Sequence, residues 1–351
     1  MESNELSIEE SVEEKYTTRY LGKDEYDKWD EFVQKSPQGT IFSSSKWLEI
    51  ITSLSGEFKI LTCYKGDELI GGISFVERKE KRFKYIFIPK FTPYGGILCK
   101  DPSSLSYKKR ITLQRDVANT IIPELIKTYD KITMAHHISY EDIRPFTWNN
   151  FTHEVRYTYI INIEDLSYVW DNMESTTIRN IKKARKENIE VTPQEDIDEF
   201  YQLYEVTYKK QGLQPSSPEL MANVYTKLKS LNQAQMYFAR DVNRELIAGV
   251  FIVTDNKRAY YLFGASHPTL RSSGGASLTF WTVFEHLSGK IKELDLVGAN
   301  TPSIEKFKRG FGGELKHYFA VSKINSIALA ISQNINEIKS RIKLFLVGRY
   351  K

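Results

Sequence analysis

Apolar residues recur along the chain in two spacings, which predict two kinds of element. A return every three or four positions predicts helices, and short apolar runs bounded by turn residues predict strands. Helices are predicted at 24–35, 43–54, 106–127, 176–187, 196–210, 218–230, 277–289 and 302–309. Strands are predicted at 84–88, 131–135, 189–192, 258–266, 292–297 and 314–321, with hairpins at 61–76 and 235–253. Since helices fall between strands, the sequence predicts a mixed α/β fold.

The two predicted hairpins are similar in sequence. ELIGG at 68–72 aligns with ELIAG at 245–249. The pairs Gly95-Gly96 and Gly274-Gly275 are separated by nearly the same offset along the chain. Two matches at a shared offset of about half the length indicate an internal duplication.

The length of 351 residues fits two domains. We expect an N-terminal domain at 15–165 and a C-terminal domain at 166–325. An acidic tail at 1–14 precedes them, and a basic amphipathic helix at 326–351 follows. The apolar stripe of that last helix has two open interpretations: packing on the body of the protein, or resting on an acidic membrane surface.

Composition excludes several classes of protein. Apolar residues make up 41% and aromatic residues 13%, which is enough for packed cores and excludes a disordered chain. No apolar run approaches the roughly 20 residues that cross a bilayer. Cys63 and Cys99 are the only cysteines, too few for a disulfide scaffold.

Charge is distributed unevenly along the chain. The segment 1–14 carries six glutamates and no base, so it does not resemble a secretory signal, and we expect a cytoplasmic protein. The rest of the chain holds all 49 basic residues and 39 of the 45 acidic residues, a net charge of +10. That excess suits an anionic ligand such as a phosphorylated cofactor, a nucleotide-sugar or RNA, and does not choose among them.

The most distinctive local motif is the glycine-rich loop between the predicted strand at 258–266 and the following helix. Small residues let a backbone approach a ligand closely, and a helix N-terminus presents free N–H groups to an anion. The loop is therefore a candidate diphosphate site, although a turn that needs glycine only for its geometry is the alternative. The predicted cofactor-binding residues are Arg271, Ser272, Ser273, Gly274, Gly275 and Ala276.

This Arg-x-x-Gly-x-Ala pattern resembles the pyrophosphate loop of the GNAT acyltransferases. The block at 294–315, with Asp-x-x-Gly followed by Phe-Lys-x-x-Phe-Gly-Gly, resembles the FemAB-like branch of that superfamily. Further segments similar to that branch are those around Trp47, the turn at 92–96, Arg144-Pro-Phe-x-Trp148 and the basic helix at 178–185. The resemblance covers about residues 20–325 and implies two tandem GNAT-like domains with mixed central sheets.

The resemblance also implies transfer of an acyl group to an amine. The expected donor is an acyl-CoA such as acetyl-CoA, and the expected acceptor is an amine on a sugar, a peptide or a cell-envelope precursor. Fem members of the branch instead use aminoacyl-tRNA and extend a peptidoglycan precursor, which is the first alternative. This chain lacks the long helical arm of some Fem proteins, because its helices at 196–230 are short and interrupted.

Four residues are predicted to act in the reaction. Phe307 and Lys308 occupy motif positions that the resemblance puts near the reacting centre, and Lys308 is expected to stabilise a phosphate or the transition state. Asp295 could orient the amine, act as a base, or cap a helix. Tyr318 is a general-acid candidate chosen from 21 tyrosines.

Four further residues are predicted to bind substrate. Trp47 and Tyr94 belong to the first half, which we expect to shape the acceptor site. Arg179 and Lys183 belong to a helix with basic residues at i, i+3, i+4 and i+7, a solvated face or a grip for tRNA or diphosphate.

Other chemistries lack their motifs. No His or Cys spacing predicts a metal site, and no nucleophile elbow is present, so direct attack by the acceptor amine is expected. A second alternative, from a different class, is a non-catalytic binding protein on a degenerate GNAT fold.

Overall fold

A computed structural model describes residues 15–54, 56–101 and 103–332. The predicted acidic tail at 1–14 lies outside the described residues, as does the predicted C-terminal helix beyond 332. Residues 327–332 are helical. Among the described residues, no helix has the length and apolar character needed to cross a bilayer.

The first half contains seven strands and four helices within the described residues. Its strands are β1 (Tyr16–Tyr20), β2 (Glu57–Lys65), β3 (Glu68–Glu80), β4 (Phe83–Phe87), β5 (Leu98–Cys99), β6 (Lys131–Ala135) and β7 (Thr152–Asn162). Its helices are α1 (Tyr26–Lys35), α2 (Ser45–Thr52), α3 (Tyr107–Thr128) and α4 (Arg144–Trp148). Two short helices then lead to the second half, α5 (Leu166–Asn172) and α6 (Ser175–Lys186).

The second half repeats the same order of elements. Its strands are β8 (Glu190–Gln194), β9 (Ala234–Arg240), β10 (Leu246–Thr254), β11 (Arg258–Ser266), β12 (Glu293–Asp295) and β13 (Glu314–Ile324). Its helices are α7 (Ile197–Lys210), α8 (Pro218–Ser230), α9 (Gly275–Leu287) and α10 (Pro302–Arg309). Apart from the very short β5, each element of the first half has a counterpart here.

The thirteen strands of the described chain form one continuous sheet with a symmetric order. From edge to edge the order is β1-β2-β3-β4-β6-β13-β7-β12-β11-β10-β9-β8, and β5 pairs with β3 beside this path. Exchanging the two halves leaves the order unchanged, which is the signature of an internal pseudo-twofold axis. The duplication inferred from sequence is thus visible as a repeat of structure.

A shared β-bulge confirms the alignment of the two halves. In the first hairpin Cys63 pairs with Gly71 and Tyr64 with Leu69, so Ile70 is the extra residue. In the second, Leu246 pairs with Arg240 and Ala248 with Ala239, so Ile247 is the extra residue. Both isoleucines stand third in their motifs, ELIGG and ELIAG, so the bulges coincide in the sequence alignment.

The final strands of the two halves are exchanged at the centre of the sheet. β7 follows β6 in the chain but pairs with β12, and β13 follows β12 but pairs with β6. β7 and β13 also pair with each other from Glu314↔Ile160 to Ser322↔Thr152. Each half therefore completes the sheet of the other.

The eight helices predicted up to residue 309 are all present, whereas helices α4 and α5 and strands β1, β5 and β7 were not predicted. The helices at 218–230 and 302–309 and the strand at 258–266 are confirmed to the residue. β7 was not predicted, because the start of its sequence is polar and residues 152–155 are exposed. The strand predicted at 292–297 ends at Asp295, where the chain turns.

Candidate active site

The candidate site is a cleft of about 590 Å³ in the second half. Strands β11 and β12 are parallel neighbours only at 258–260 and 293–295, and then diverge. The cleft opens where they separate, and α9, α10 and the end of α7 complete its walls. Its position at the carboxyl ends of parallel strands is a usual place for a ligand in an α/β sheet.

Strand β11 brings unpaired backbone to this cleft. Phe251 of β10 pairs with Phe263 and Ile252 pairs with Tyr261, so Leu262 is a bulged residue. Beyond Tyr260 the strand pairs with β10 alone, and residues 261–266 all line the cleft. The free edge of β11 can therefore offer backbone donors to a carbonyl or phosphate oxygen.

The glycine-rich loop forms one end of the cleft, at the N-terminus of α9. Gly274 has φ +83°, and a Cβ there would lie 2.2 Å from the carbonyl oxygen of Asn180 on α6. A Cβ on Gly275 would lie 2.6 Å from Ile247 Cγ2. Both glycines are thus required for packing, so their presence alone does not indicate a ligand.

The same helix end also has the features of an anion site. α9 has no side-chain cap, and Ala276 and Ser277 in its first turn line the cleft. Unpaired N–H groups and the positive end of the helix dipole attract negative charge. Ser273 turns its hydroxyl inward, donating to the Leu270 carbonyl and accepting from the Gly275 N–H.

The predicted basic residues lie on the other side of the loop. Lys183 Nζ donates to the Ser272 carbonyl oxygen at 2.7 Å, which ties α6 to the loop. Residues Arg271–Ser273 form a short 3-10 helix, and the Arg271 side chain lies outside what the structure describes. Arg179 is exposed and has no ion pair among the described residues. The same holds for Lys182 and Lys186, which lie on the same basic face of α6.

Lys308 is buried at the wall of the cleft, and its ammonium group makes three hydrogen bonds within the protein. Its ammonium group donates to the carbonyl oxygens of Leu296, Val297 and Gly298, the last two at 2.7 Å. It also lies 5.1 Å from the centre of the Tyr261 ring. Burial lowers the pKa of Lys308 to about 8, and Asp295 acts in the opposite direction.

Asp295 is fully buried behind this wall. Its carboxylate accepts hydrogen bonds from Tyr94 Oη at 2.6 Å, Thr158 Oγ1 at 2.5 Å and the Val297 N–H at 2.8 Å. Burial raises its pKa, and those donors lower it. Asp295 therefore does not cap α10, whose N-terminal flank at Thr301 has no side-chain cap.

An aromatic wall faces the loop across the cleft. Phe307 lines the cleft and packs against Phe280, with ring centres 5.5 Å apart. Tyr261 also lines it, 4.6 Å from the Phe280 ring. Its hydroxyl makes no hydrogen bond to a described residue, and burial raises its pKa, so it is protonated at neutral pH.

Tyr261 is a candidate proton donor that the sequence did not single out. Tyr318, the general-acid candidate from the sequence, is buried on β13 and is not among the described residues that line the cleft. The bulge that places Tyr261 depends on strand register, which one sequence does not reveal. The nearest available signal was the strand sequence Tyr-Tyr-Leu-Phe-Gly at 260–264.

Two predicted substrate-binding residues of the first half are buried beneath the site. Trp47 has no exposed surface, and its indole N–H donates to Thr92 Oγ1 at 3.0 Å. Tyr94 is 1% exposed and contacts Asp295. Contacts thus connect Trp47 to the turn at 92–96, and that turn to Asp295. Neither Trp47 nor the turn is among the residues that line the cleft.

The side chains that line the cleft carry positive charge and no negative charge, as far as the chain is described. Among the described residues that line it, no aspartate or glutamate occurs, and Lys308 is the one charged side chain. No group of three or more His, Cys, Asp or Glu residues in the described chain could hold a metal ion. The lining is otherwise apolar, aromatic or neutral polar.

Comparison with known proteins finds a family match in the same part of the chain. Residues 175–309 match the sequence model of the family described as "Acetyltransferase (GNAT) domain". The match contains the loop at 271–276 and most of the cleft. No curated protein matches the chain.

Three solved structures are similar in fold. FemX is 14% identical over 86% of this chain and 96% of its own, with a TM-score of 0.64. A conserved protein of unknown function from Bacteroides thetaiotaomicron VPI-5482 is 12% identical over 87% and 99%, with a TM-score of 0.56. L-PGS from Bacillus licheniformis is 9% identical over 87% and 94%, with a TM-score of 0.51. Together with the family match and the repeated order of elements, these likenesses show that the chain has a GNAT-type fold similar to that of FemX, built from two tandem halves.

Proposed function

We propose that the protein is an N-acyltransferase that moves an acyl group from an acyl-CoA donor to an amine. The acceptor amine belongs to a sugar, a peptide or a cell-envelope precursor, reached from the cytoplasm. The observation that carries the choice of donor is the cleft itself. It joins an uncapped helix N-terminus to an apolar, aromatic interior without a carboxylate.

Each end of such a donor suits one end of the cleft. The diphosphate of a CoA would meet the free N–H groups of α9 at Ala276 and Ser277, a positive end that needs no side chain. The thioester would lie along the free edge of β11. An uncharged acyl group would then face Phe280 and Phe307.

The reaction follows from this arrangement. The amine nitrogen attacks the thioester carbon, a C–N bond forms, and the C–S bond breaks. Backbone donors on β11 would stabilise the charge that develops on the carbonyl oxygen. The amine loses one proton to water and the thiolate gains one, for which the Tyr261 hydroxyl is the nearest candidate.

The main alternative donor is an aminoacyl-tRNA. The FemX fold likeness and the exposed basic row of α6 support it. An aminoacyl ester carries an amino group that is protonated in part at neutral pH, and the lining offers no carboxylate to receive it. The absence of such a partner among the lining residues favours an uncharged acyl group.

Binding to the full chain distinguishes the two donors. We expect acetyl-CoA to raise the melting temperature by several degrees and aminoacyl-tRNA to bind weakly, with no competition between them. Saturable, salt-sensitive binding of aminoacyl-tRNA without any shift from CoA would contradict the proposal. Shifts from neither donor, with no transfer to a panel of amines, would favour a non-catalytic binding protein.

A further inference from the structure

The cleft wall between β12 and α10 has an unusual backbone. Val297 has φ +48° and Gly298 has φ +74°, and both residues line the cleft. A β-branched residue in the left-handed region is strained, and such strain persists only where the surroundings hold it. The groups around the turn must therefore hold it in this conformation.

Two buried ionisable groups hold the turn from opposite sides. Lys308 Nζ donates to the carbonyl oxygens of Leu296, Val297 and Gly298. Asp295 Oδ1 accepts the Val297 N–H at 2.8 Å. Every hydrogen of the ammonium is thereby used, so none is left for a phosphate or an oxyanion.

The carboxylate is held in turn from the first half of the chain. Tyr94 Oη donates to Asp295 Oδ2 at 2.6 Å, and Thr158 Oγ1 of β7 donates to Oδ1 at 2.5 Å. Tyr94 reaches this position because the chain leaves the edge of β3 after Phe87 and returns at Leu98. The intervening excursion, residues 88–97, carries Tyr94 to the second half.

We propose that Tyr94 is a positioning residue that acts through Asp295 and, together with Lys308, fixes the turn at 296–298 as a wall of the acyl-donor cleft. The first half thus sets the geometry of a site that, among the described residues, is lined by the second half. Whether these residues hold the turn does not depend on the reaction. Only the expected effects on turnover and donor binding rest on the proposed function. Asp295 and Lys308 act here through the backbone that they hold.

The first test needs no ligand and measures hydrogen exchange at the Val297 amide. Tyr94→Phe removes one hydroxyl and leaves the ring in place. We expect the Val297 amide to exchange at least tenfold faster than in the wild type. The matched control is Tyr129→Phe, which removes a hydroxyl that donates to Glu77 at 2.5 Å elsewhere in the first half. Equal Val297 exchange in the two variants would overturn the proposal.

The second test separates positioning from general loss of stability. At saturating acetyl-CoA, we expect kcat of Tyr94→Phe to fall at least tenfold, with a donor KM raised severalfold and a melting temperature matching that of Tyr129→Phe. An unchanged kcat would overturn the proposed role in the reaction. If the wild type transfers no acyl group, the proposed function fails, and the exchange measurement still decides whether Tyr94 holds the turn.

The third test uses the charge of Lys308. The titratable groups that face it are Asp295 of β12 and Tyr261 of β11. Deprotonation removes one of the three donors to the turn, so we expect donor affinity to fall severalfold as the pH rises above about 8. Lys308→Arg, which does not titrate there, should abolish that fall.

Lys257 provides the matched control for this test. It is a half-buried lysine that also donates to three carbonyl oxygens, those of Val33, Ser36 and Gly39, and it is not among the residues that line the cleft. Lys257→Arg should keep the wild-type pH dependence. A fall in affinity that persists in Lys308→Arg would contradict the proposal, and if that variant does not fold, Tyr94→Phe decides.

Discussion

The two halves of the chain differ in the region where the second half has its cleft. In the second half, β11 runs unbroken along β10 and then diverges from β12, and a cleft opens there. In the first half, β3 pairs with β4 and then with β5, and residues 88–97 leave the sheet between them. The counterpart of the open cleft is filled by packed side chains.

The residue that follows β6 shows how the first half fills this region. His136 is fully buried. His136 stacks on Tyr140 at 4.3 Å and packs against Phe146 at 4.8 Å. A Cβ on Gly96 would lie 2.2 Å from His136 Nδ1, so no room remains beside this glycine.

This comparison teaches how a duplicated unit can divide its tasks. The second half has the glycine-rich loop and the cleft, whereas packed side chains fill the corresponding region of the first half. The segment that interrupts the first half's strand carries Tyr94, which hydrogen-bonds Asp295 of the second half. One site is thus supported by both halves but lined by the second.

Substitution of one phenylalanine in each of the corresponding helices α4 and α10 should break the comparison most strongly. Phe146 of α4 is fully buried, and Phe307 of α10 is a half-buried part of the cleft wall. We expect Phe146→Ala to cost about 3–5 kcal/mol of unfolding free energy and to leave acyl-CoA affinity per folded molecule unchanged. Phe307→Ala should cost less stability and weaken acyl-CoA binding about tenfold. Urea unfolding and calorimetry measure both quantities, and a reversed pattern would contradict the division of tasks.

The glycines at the shared offset should respond unequally. Gly274→Ala introduces a Cβ 2.2 Å from a backbone oxygen at φ +83°, so the loop must shift and α9 must move from its place. We expect acyl-CoA affinity to fall about 100-fold, roughly 2.7 kcal/mol. Gly95→Ala meets nothing closer than 4.0 Å and should change affinity less than twofold. Equal effects would show that the two loops have equivalent roles.

The sequence predicted the repeat and most elements, because hydrophobic spacing and turn residues are local signals. It predicted the loop at 271–276 and the Phe-Lys block from motif resemblance. It did not reveal the exchange of β7 and β13, which depends on pairing between segments far apart in the chain. For the same reason it did not reveal that Trp47 and Tyr94 are buried, or that Tyr261 faces the cleft.

Acid should destabilise the first half through its buried histidines. Burial lowers the pKa of His136 from 6.5 to about 3. The unfolded chain therefore binds a proton below pH 6.5 that the folded chain does not, so the stability present above pH 6.5 is lost as the pH falls.

His136→Leu, which keeps a side chain without a titratable group at this buried position, should remove this contribution. Both ring nitrogens of His136 lack a hydrogen-bond partner among the described residues, so the variant should be at least as stable as the wild type at pH 7. Below pH 6.5 its advantage should grow by up to about 1.4 kcal/mol per pH unit, measured by urea unfolding between pH 7 and 5. A pH-independent difference would mean that His136 titrates normally in the fold.

The basic row of α6 should have the smallest effect. We expect Arg179→Gln with Lys182→Gln and Lys186→Gln to change acetyl-CoA affinity less than twofold, because these exposed side chains do not line the cleft. Filter binding at several salt concentrations measures any tRNA affinity in parallel. A large loss of transfer activity in this variant would favour the aminoacyl-tRNA alternative.

The stoichiometry of donor binding tests the central claim most directly. Isothermal titration of the full chain with acetyl-CoA should give one site per chain, retained in Gly95→Ala and lost in Gly274→Ala. Two sites per chain, or one site that survives Gly274→Ala and is lost in Gly95→Ala, would contradict the account of a single cleft supported by two unequal halves.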